Sequence, residues 1–262
     1  MTILNPIWHL KRGDSPLIAT AIHDGHALRE DVASLMALND AERLREEDPF
    51  TGTWVSVAPT QVVGTHSRFE VDLNRPREKA VYLTPADAWG LHVWQRDLPA
   101  DLVAHSLAQY DAFYAEMEQL FSEMTAQFGH FIVFDLHTYN HRREGPAGPV
   151  ADPAQNPEVN IGTGTVDRKR WGPLLDRFMA DLHAFDFRGR RLDVRENVKF
   201  KGGQLARWVH QTFPESGCDI AIEFKKFFMD EWSGQPDPAQ VETIRLALQA
   251  TVPGVLAELQ KL

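Results

Sequence analysis

Histidine is the residue this chain uses unusually often, 11 times in 262 residues. Two histidines stand where chemistry could use them. His23-Asp24-Gly25-His26 closes a short apolar run, and Gly25 permits a turn that would let imidazoles three residues apart close on one metal ion. The same pair also reads as two ordinary polar loop residues. Asp135-Leu136-His137-Thr138-Tyr139-Asn140 follows a second apolar run, 131–134. One histidine at a strand end is commonly a hydrogen-bonded core residue. Two, on separate strands, suit a shared site beyond the C-terminal ends of a parallel sheet.

Three further segments carry charge in patterns that fit such a site. In Arg68-Phe-Glu70-Val-Asp72-Leu-Asn74-Arg75-Pro76, alternation places Arg68, Glu70 and Asp72 on one face of a strand. A buried Asp72 would need a partner, and a carboxylate behind a metal-bound histidine has one. Asn74 and Arg75 offer planar donors suited to a substrate carboxylate. An exposed strand end with a surface ion pair reads equally well. Glu223 closes the apolar run of Asp219-Ile-Ala-Ile-Glu223, either at a sheet edge or beside a metal-activated water as general base and then acid. Asn197-Val-Lys199-Phe-Lys201-Gly202-Gly203 is a flexible substrate loop or merely a turn.

The elements that must position these groups follow from periodicity. Residues 17–23 and 131–134 read as buried strands, 61–73 as one or two strands, and 192–198 and 219–224 as strands. The clearest helix is 101–128, with Val103, Leu107, Tyr110, Tyr114, Met117, Phe121, Met124 and Phe128 on one face and Gly129 as its stop. Residues 27–47 are rich in helix formers, 171–185 is a helix, and 237–262 is a helix broken at Pro253. The Gly/Pro/Asn-rich stretch 140–170 reads as an irregular functional loop. Strand, long helix, strand is a βαβ unit, so 1–262 is expected to form one α/β domain: three layers, with a central mixed, mostly parallel sheet flanked by helices.

Composition narrows the partners. Lys plus Arg is 27 and Asp plus Glu 37, giving a net charge of −10. That argues against a general binder of nucleic acid or anionic membrane and leaves room for a local basic pocket around a small acidic molecule. The single cysteine, Cys218, excludes an internal disulfide and a Cys-rich zinc site and fits a reducing compartment. No apolar run approaches ~18 residues and the N-terminal stretch has no long apolar core, so neither a membrane span nor a signal peptide is expected and a cytoplasmic location is. The oligomeric state is open.

These segments, in this order, resemble the N-formylglutamate amidohydrolase family, which is similar in fold to the zinc carboxypeptidases, a phosphorylase/hydrolase-like architecture. SRFEVDLNRP resembles the family's Arg-x-x-x-Asp-Leu-Asn-Arg-Pro segment, DLHTYN the carboxypeptidase strand bearing the last zinc histidine, FKGGQ the Lys-Gly-Gly element, and IAIEF the strand bearing the catalytic glutamate. The resemblance implies zinc, or another divalent transition metal, held by His23 and His137. Glu223 becomes the general base, Asp72 the partner of a ligand histidine, and Asn74 and Arg75 the carboxylate clamp. Asn140, Lys201, Gly202 and Gly203 become substrate-side groups, and Asn160 lies in a substrate-side loop.

Carboxypeptidases place a glutamate three residues after the first histidine, and here that position is His26. The second ligand is then His26, favoured on spacing, or a carboxylate of Glu46-Glu47-Asp48, where Asp48 matches a recurring family aspartate. The implied reaction is hydrolysis of N-formyl-L-glutamate to formate and L-glutamate, with Arg68 a cation for the oxyanion, and a place in histidine degradation. A carboxypeptidase-like or γ-glutamyl peptidase shares these residues. A non-catalytic metal-binding regulatory domain is the reading from another class, and Glu223 speaks against it.

Overall fold

In the computed structural model, which describes residues 5–262, seven strands form one continuous sheet. They are β1 (Trp8–Lys11), β2 (Leu17–Ala21), β3 (Thr60–Gly64), β4 (Phe131–Tyr139), β5 (Val159–Gly162), β6 (Val194–Glu196) and β7 (Gly217–Lys225). Their order is β1-β3-β2-β4-β7-β5-β6. The pairs β3/β2, β2/β4, β4/β7 and β5/β6 are parallel, while β1/β3 and β7/β5 are antiparallel. The sheet is thus mixed and mostly parallel, as the sequence suggests. β2 and β4 lie in its middle and are buried along their whole length, which is why they read as continuous apolar runs.

Helices cover both faces. They are α1 (Glu30–Ala33), α2 (Asp40–Glu46), α3 (Thr51–Trp54), α4 (Ala100–Phe128), α5 (Arg168–Ala184), α6 (Gln204–Thr212) and α7 (Pro238–Leu259). Alternate residues of the central strands separate two cores. Ile132, Phe134, Leu136, Ile220 and Ile222 pack with Trp171, Phe178, Ile244 and Leu248 of α5 and α7. Phe131 and Val133 pack with Phe113, Met117 and Phe121 of α4 and with Leu205 and Val209 of α6. The long helix ends where expected, at Gly129 in a left-handed conformation (φ 79°).

The structure departs from the sequence reading in four places. Residues 67–73 form a turn and not a strand: Asp72 accepts from Asn74 N (2.8 Å), a local bond that competes with a sheet ladder, and Glu70 accepts from the distant Arg29 N (2.7 Å). Residues 27–47 give two short helices, the second started by a reciprocal Asn39–Glu42 cap. The stretch 140–170 contains β5, which completes the sheet beside β7. α7 runs through Pro253 unbroken, because its buried residues on either side of the proline, Leu248 and Val255, share one core with α5. Among the described residues no helix is long and apolar enough to cross a membrane. The first four residues of the N-terminal stretch read for a leader lie outside the described ones.

Candidate metal centre

β2 ends at Ala21, and the turn that follows puts His23 at the C-terminal edge of the sheet. β4 is parallel to it and carries His137 near its own C-terminal end. The two rings lie with centroids 5.1 Å apart. The third member is Asp48, delivered by the segment after α2, whose backbone N–H donates to His23 O (2.9 Å). Asp48 Oδ2 stands 3.3 Å from His23 Nδ1 and 3.0 Å from His137 Nδ1. Thr138 Oγ1 donates to Asp48 Oδ1 (3.0 Å), which aims the other oxygen at the histidines. All three side chains are buried, and one ligand atom from each lies within 4.8 Å of the others.

The outer nitrogens of both rings face carboxylates. His23 Nε2 lies 2.7 Å from Asp72 Oδ1, and His137 Nε2 lies 3.0 Å from Asp135 Oδ2. Burial alone would raise the Asp72 pKa, but Arg68 and His23 hold it well below the carboxylate range, so Asp72 is ionised and accepts. His23 Nε2 must then donate, and its Nδ1 lone pair faces the cluster with no hydrogen-bond partner among the described residues.

Two groups compete for His137 Nε2, the Asp135 carboxylate and the Asn74 amide nitrogen at 3.2 Å. Asp135 Oδ2 is buried and has no other hydrogen-bond partner among the described residues, so a proton on His137 Nε2 would satisfy it. Burial opposes the charged ring, but Asp135 and Asp48 outweigh it and raise the His137 pKa well above its ordinary value. A cation at this point would replace the Nδ1 proton of His137 and meet the orphaned Nδ1 of His23 and the Asp48 oxygen. Two imidazoles and one carboxylate, with carboxylates behind the imidazoles, fit a divalent transition metal of the zinc type.

His26 is the correction. It does not join the cluster, although spacing favoured it. Its Nδ1 is bonded to Glu47 Oε2 (2.5 Å) and its Nε2 faces Arg43 Nη2 (3.2 Å), so the imidazole is engaged from both sides. Asp48, the alternative second ligand, occupies the place instead. One residue that the sequence reading passed over explains why. Lys226 is fully buried and donates to Arg45 O (2.6 Å) and Glu47 O (2.7 Å), capping the C-terminal end of α2 and fixing the chain that bears Asp48.

The cluster opens into a cavity of about 370 Å³. Glu223 lines it from β7, in register with His137 on the neighbouring parallel strand, so both side chains point to the same face. Burial, with Asp48 and Asp135 adding repulsion against the pull of His137 and Arg68, pushes its pKa up to about 8. Arg68 donates to Asp72 Oδ2 (2.7 Å), Tyr82 OH (3.3 Å) and Glu46 O (3.3 Å), which leaves part of its guanidinium free toward the cavity. Arg75 makes a 3.8 Å pairing with Asp72 and, among the described residues, no hydrogen bond through its guanidinium, so it is the least committed donor of that segment.

Asn74 is not a free clamp. Its Oδ1 accepts from Leu205 N (3.0 Å) at the start of α6, and its amide lies so close to Gly203 that any Cβ there would collide with it. Gly202 needs its left-handed φ of 104°. Together they turn the Lys201-Gly202-Gly203 backbone along the cavity wall. Asn140 donates to Glu46 Oε1 (3.1 Å) and lines the cavity, with its buried Oδ1 unpartnered among the described residues. Asn160, opposite Glu223 on the antiparallel β5, pins the loop by accepting from Lys199 N (2.8 Å) and donating to Phe200 O (2.9 Å). Arg143, Arg207 and Trp89, none of them singled out by motif, complete the lining. Cations thus crowd one cavity of an acidic chain.

A three-layer hydrolase-like fold with a convergent His/Asp/His cluster defines the class, and comparison with known proteins gives the family. The N-formylglutamate amidohydrolase family model matches residues 15–228, and the chain belongs to that family. The fold is similar to the crystal structure of N-formylglutamate amidohydrolase from Ralstonia eutropha JMP134, with TM-score 0.76 and 16% identity over 97% of this chain and 98% of that one. It is also similar to a gene product of Agrobacterium tumefaciens, with TM-score 0.61 and 16% identity over 96% of each chain. No curated protein matches the sequence.

Proposed function

We propose that this chain is a metal-dependent amidohydrolase that cleaves N-formyl-L-glutamate to formate and L-glutamate. The observation that carries the reading is the convergence of His23 Nδ1, His137 Nδ1 and Asp48 Oδ2 on the wall of a cavity in which Glu223 stands in register with His137. Family membership supports the choice of substrate.

A divalent ion on His23, Asp48 and His137 would supply Lewis acidity toward water and the amide carbonyl. The chain's own residues do the rest. Glu223, once ionised, takes a proton from the attacking water and returns it to the leaving nitrogen, so that water and amide become formate and the free amino group. The free N–H groups of Arg68 face the negative charge that develops on the carbonyl oxygen. Arg75 holds a substrate carboxylate with its planar fork, and Asn140 Oδ1 accepts from the substrate's N–H. Lys201, Gly202 and Gly203 shape the far wall. A pure binding domain has no use for a carboxylate placed like Glu223.

The test pairs metal analysis of the purified protein with formate release from N-formyl-L-glutamate, beside acid release from N-acetyl- and N-succinyl-glutamate. About one transition-metal ion per chain and preference for the formyl substrate are expected. Stoichiometric metal with no amide cleaved would sink the enzyme reading.

A further inference from the structure

Trp89 occupies a position that chemistry alone does not recommend for it. It ends the short 3-10 turn Pro85–Ala88, which starts with a reciprocal Thr84–Asp87 cap, and sits in the left-handed region at φ 53°. That is a conformation glycine adopts freely and a bulky residue adopts at a cost. Gly90 follows it with φ 94°, its N–H donating to Pro85 O (2.7 Å), so the turn requires this backbone whatever side chain is present. The indole is not used to fill the core, since Trp89 is 46% exposed. It lies instead on the cavity wall, 5.0 Å from the Arg68 guanidinium and 5.7 Å from that of Arg75, with the Tyr82 ring against it edge-on at 5.9 Å.

The two arginines differ in what else holds them. Arg68 has three hydrogen-bonded partners. Arg75 has the 3.8 Å pairing with Asp72 and two aromatic rings beside it, Tyr82 at 5.8 Å and Trp89 at 5.7 Å. A guanidinium beside an aromatic ring is attracted to it without spending an N–H donor, so those donors stay free for a carboxylate, and it loses part of its hydration to the ring.

We propose that Trp89 is a positioning residue for substrate: it holds the Arg75 guanidinium on the cavity wall and shields the resulting ion pair from water, and so sets affinity for the substrate's carboxylate. The proposal rests on the reading of the cavity as a site for N-acylated acidic amino acids.

The experiment compares Trp89→Gly and Trp89→Phe with wild type. Glycine removes the ring and relieves the backbone at once, so the melting temperature should stay within a few degrees while KM for N-formyl-L-glutamate rises about tenfold and kcat changes less than twofold. Phe should recover much of the loss. The effect should vanish when substrate carboxylates are replaced by carboxamides, and it should shrink when Arg75 is already replaced by Ala. Unchanged KM in Trp89→Gly overturns the proposal, and so does a fall in kcat at constant KM. The parallel titration with L-glutamate requires no turnover: if wild type cleaves no amide yet binds L-glutamate more tightly than Trp89→Gly does, the hydrolase reading fails and the role of Trp89 stands.

Discussion

The cavity lined by His23, Asp48, His137 and Glu223 and the cavity on the other side of Lys226 share a wall but differ in what their polar groups are committed to. The two are similar in volume, about 370 Å³ and 420 Å³, and the second is walled by Phe227, Phe228 and Met229. Its acids serve local structure: Asp230 accepts from Trp232 N and Ser233 N, and Asp237 caps α7. Only Glu231 is left over, with Oε2 accepting from His141 N (3.0 Å) and Oε1 unpartnered among the described residues. His141 Nδ1, also unpartnered among the described residues, lies 3.9 Å from it. The first cavity, by contrast, brings three metal-ligating atoms from separate elements together, with Glu223 beside them. Volume does not mark a site; convergence of several such groups does.

The contrast is broken most severely by removing a convergent atom. His137→Ala should abolish both stoichiometric metal and amide cleavage, since two protein ligands rarely hold a catalytic ion. Full metal occupancy in that variant, read by elemental analysis, would move the centre elsewhere.

Glu223→Gln is the next largest effect, about 10²–10⁴-fold in rate with metal retained. It also bears on pH. Glu223 must be ionised to accept a proton, so activity rises with pH through its ionisation. Burial puts that point at about 8 in the ion-free chain, and a nearby cation lowers it. Stability runs the other way. A carboxyl whose folded pKa is raised above 4.5 stabilises the fold below that value and loses this contribution as pH rises toward 8. Ion-free Glu223→Gln should therefore gain on wild type in melting temperature across that window. A wild-type rate profile without this acidic limb would remove Glu223 from the base role.

How much of this was legible in the sequence follows from the same contrast. His23, His137 and Glu223 were readable because each ends an apolar run, and parallel strands bring their C-terminal ends together whatever lies between. Asp48 was set apart from Glu46 and Glu47 only by the family resemblance, as the alternative second ligand. What selects it is where α2 stops and how Lys226, remote in sequence, caps it. His26 misled because spacing says which residues can meet, not which are already taken, and Glu47 takes it. Asn74 does line the cavity, but spacing could not show that an orphan N–H group at the start of α6 already claims its oxygen. The turn at 67–73 scans as a strand because alternation looks the same whether the acids face solvent or the backbone N–H groups of Arg29 and Asn74.

Lys226 tests the shared wall. Lys226→Met keeps the stem but leaves the carbonyls of Arg45 and Glu47 without their donor. The segment bearing Asp48 should loosen, with metal affinity falling about 10–100-fold, as is typical when a group that orients a ligand is lost. The rate at saturating metal should recover most of its wild-type value. Competition with a chelator measures the first and metal titration of activity the second. Unchanged affinity would show that Asp48 is held by Thr138 and His23 alone.

The smallest effect is the one that would most damage the comparison if it came out large. Glu231→Gln keeps the acceptor for His141 N–H and replaces the unpartnered carboxylate oxygen with an amide. Burial raises the Glu231 pKa, against hydrogen bonds and cations that lower it, so its ionised form weighs against the fold as pH rises above the ordinary carboxyl range. The variant should therefore match wild type in acid and exceed it near neutrality, by roughly 2–4 °C in melting temperature for each ~1 kcal/mol relieved. KM and kcat should both stay within about twofold, because no atom of Glu231 lines the metal cavity. A tenfold change in either at full metal occupancy would mean that the second cavity communicates with the site through His141 and Asn140. The two regions would then have to be treated as one functional unit.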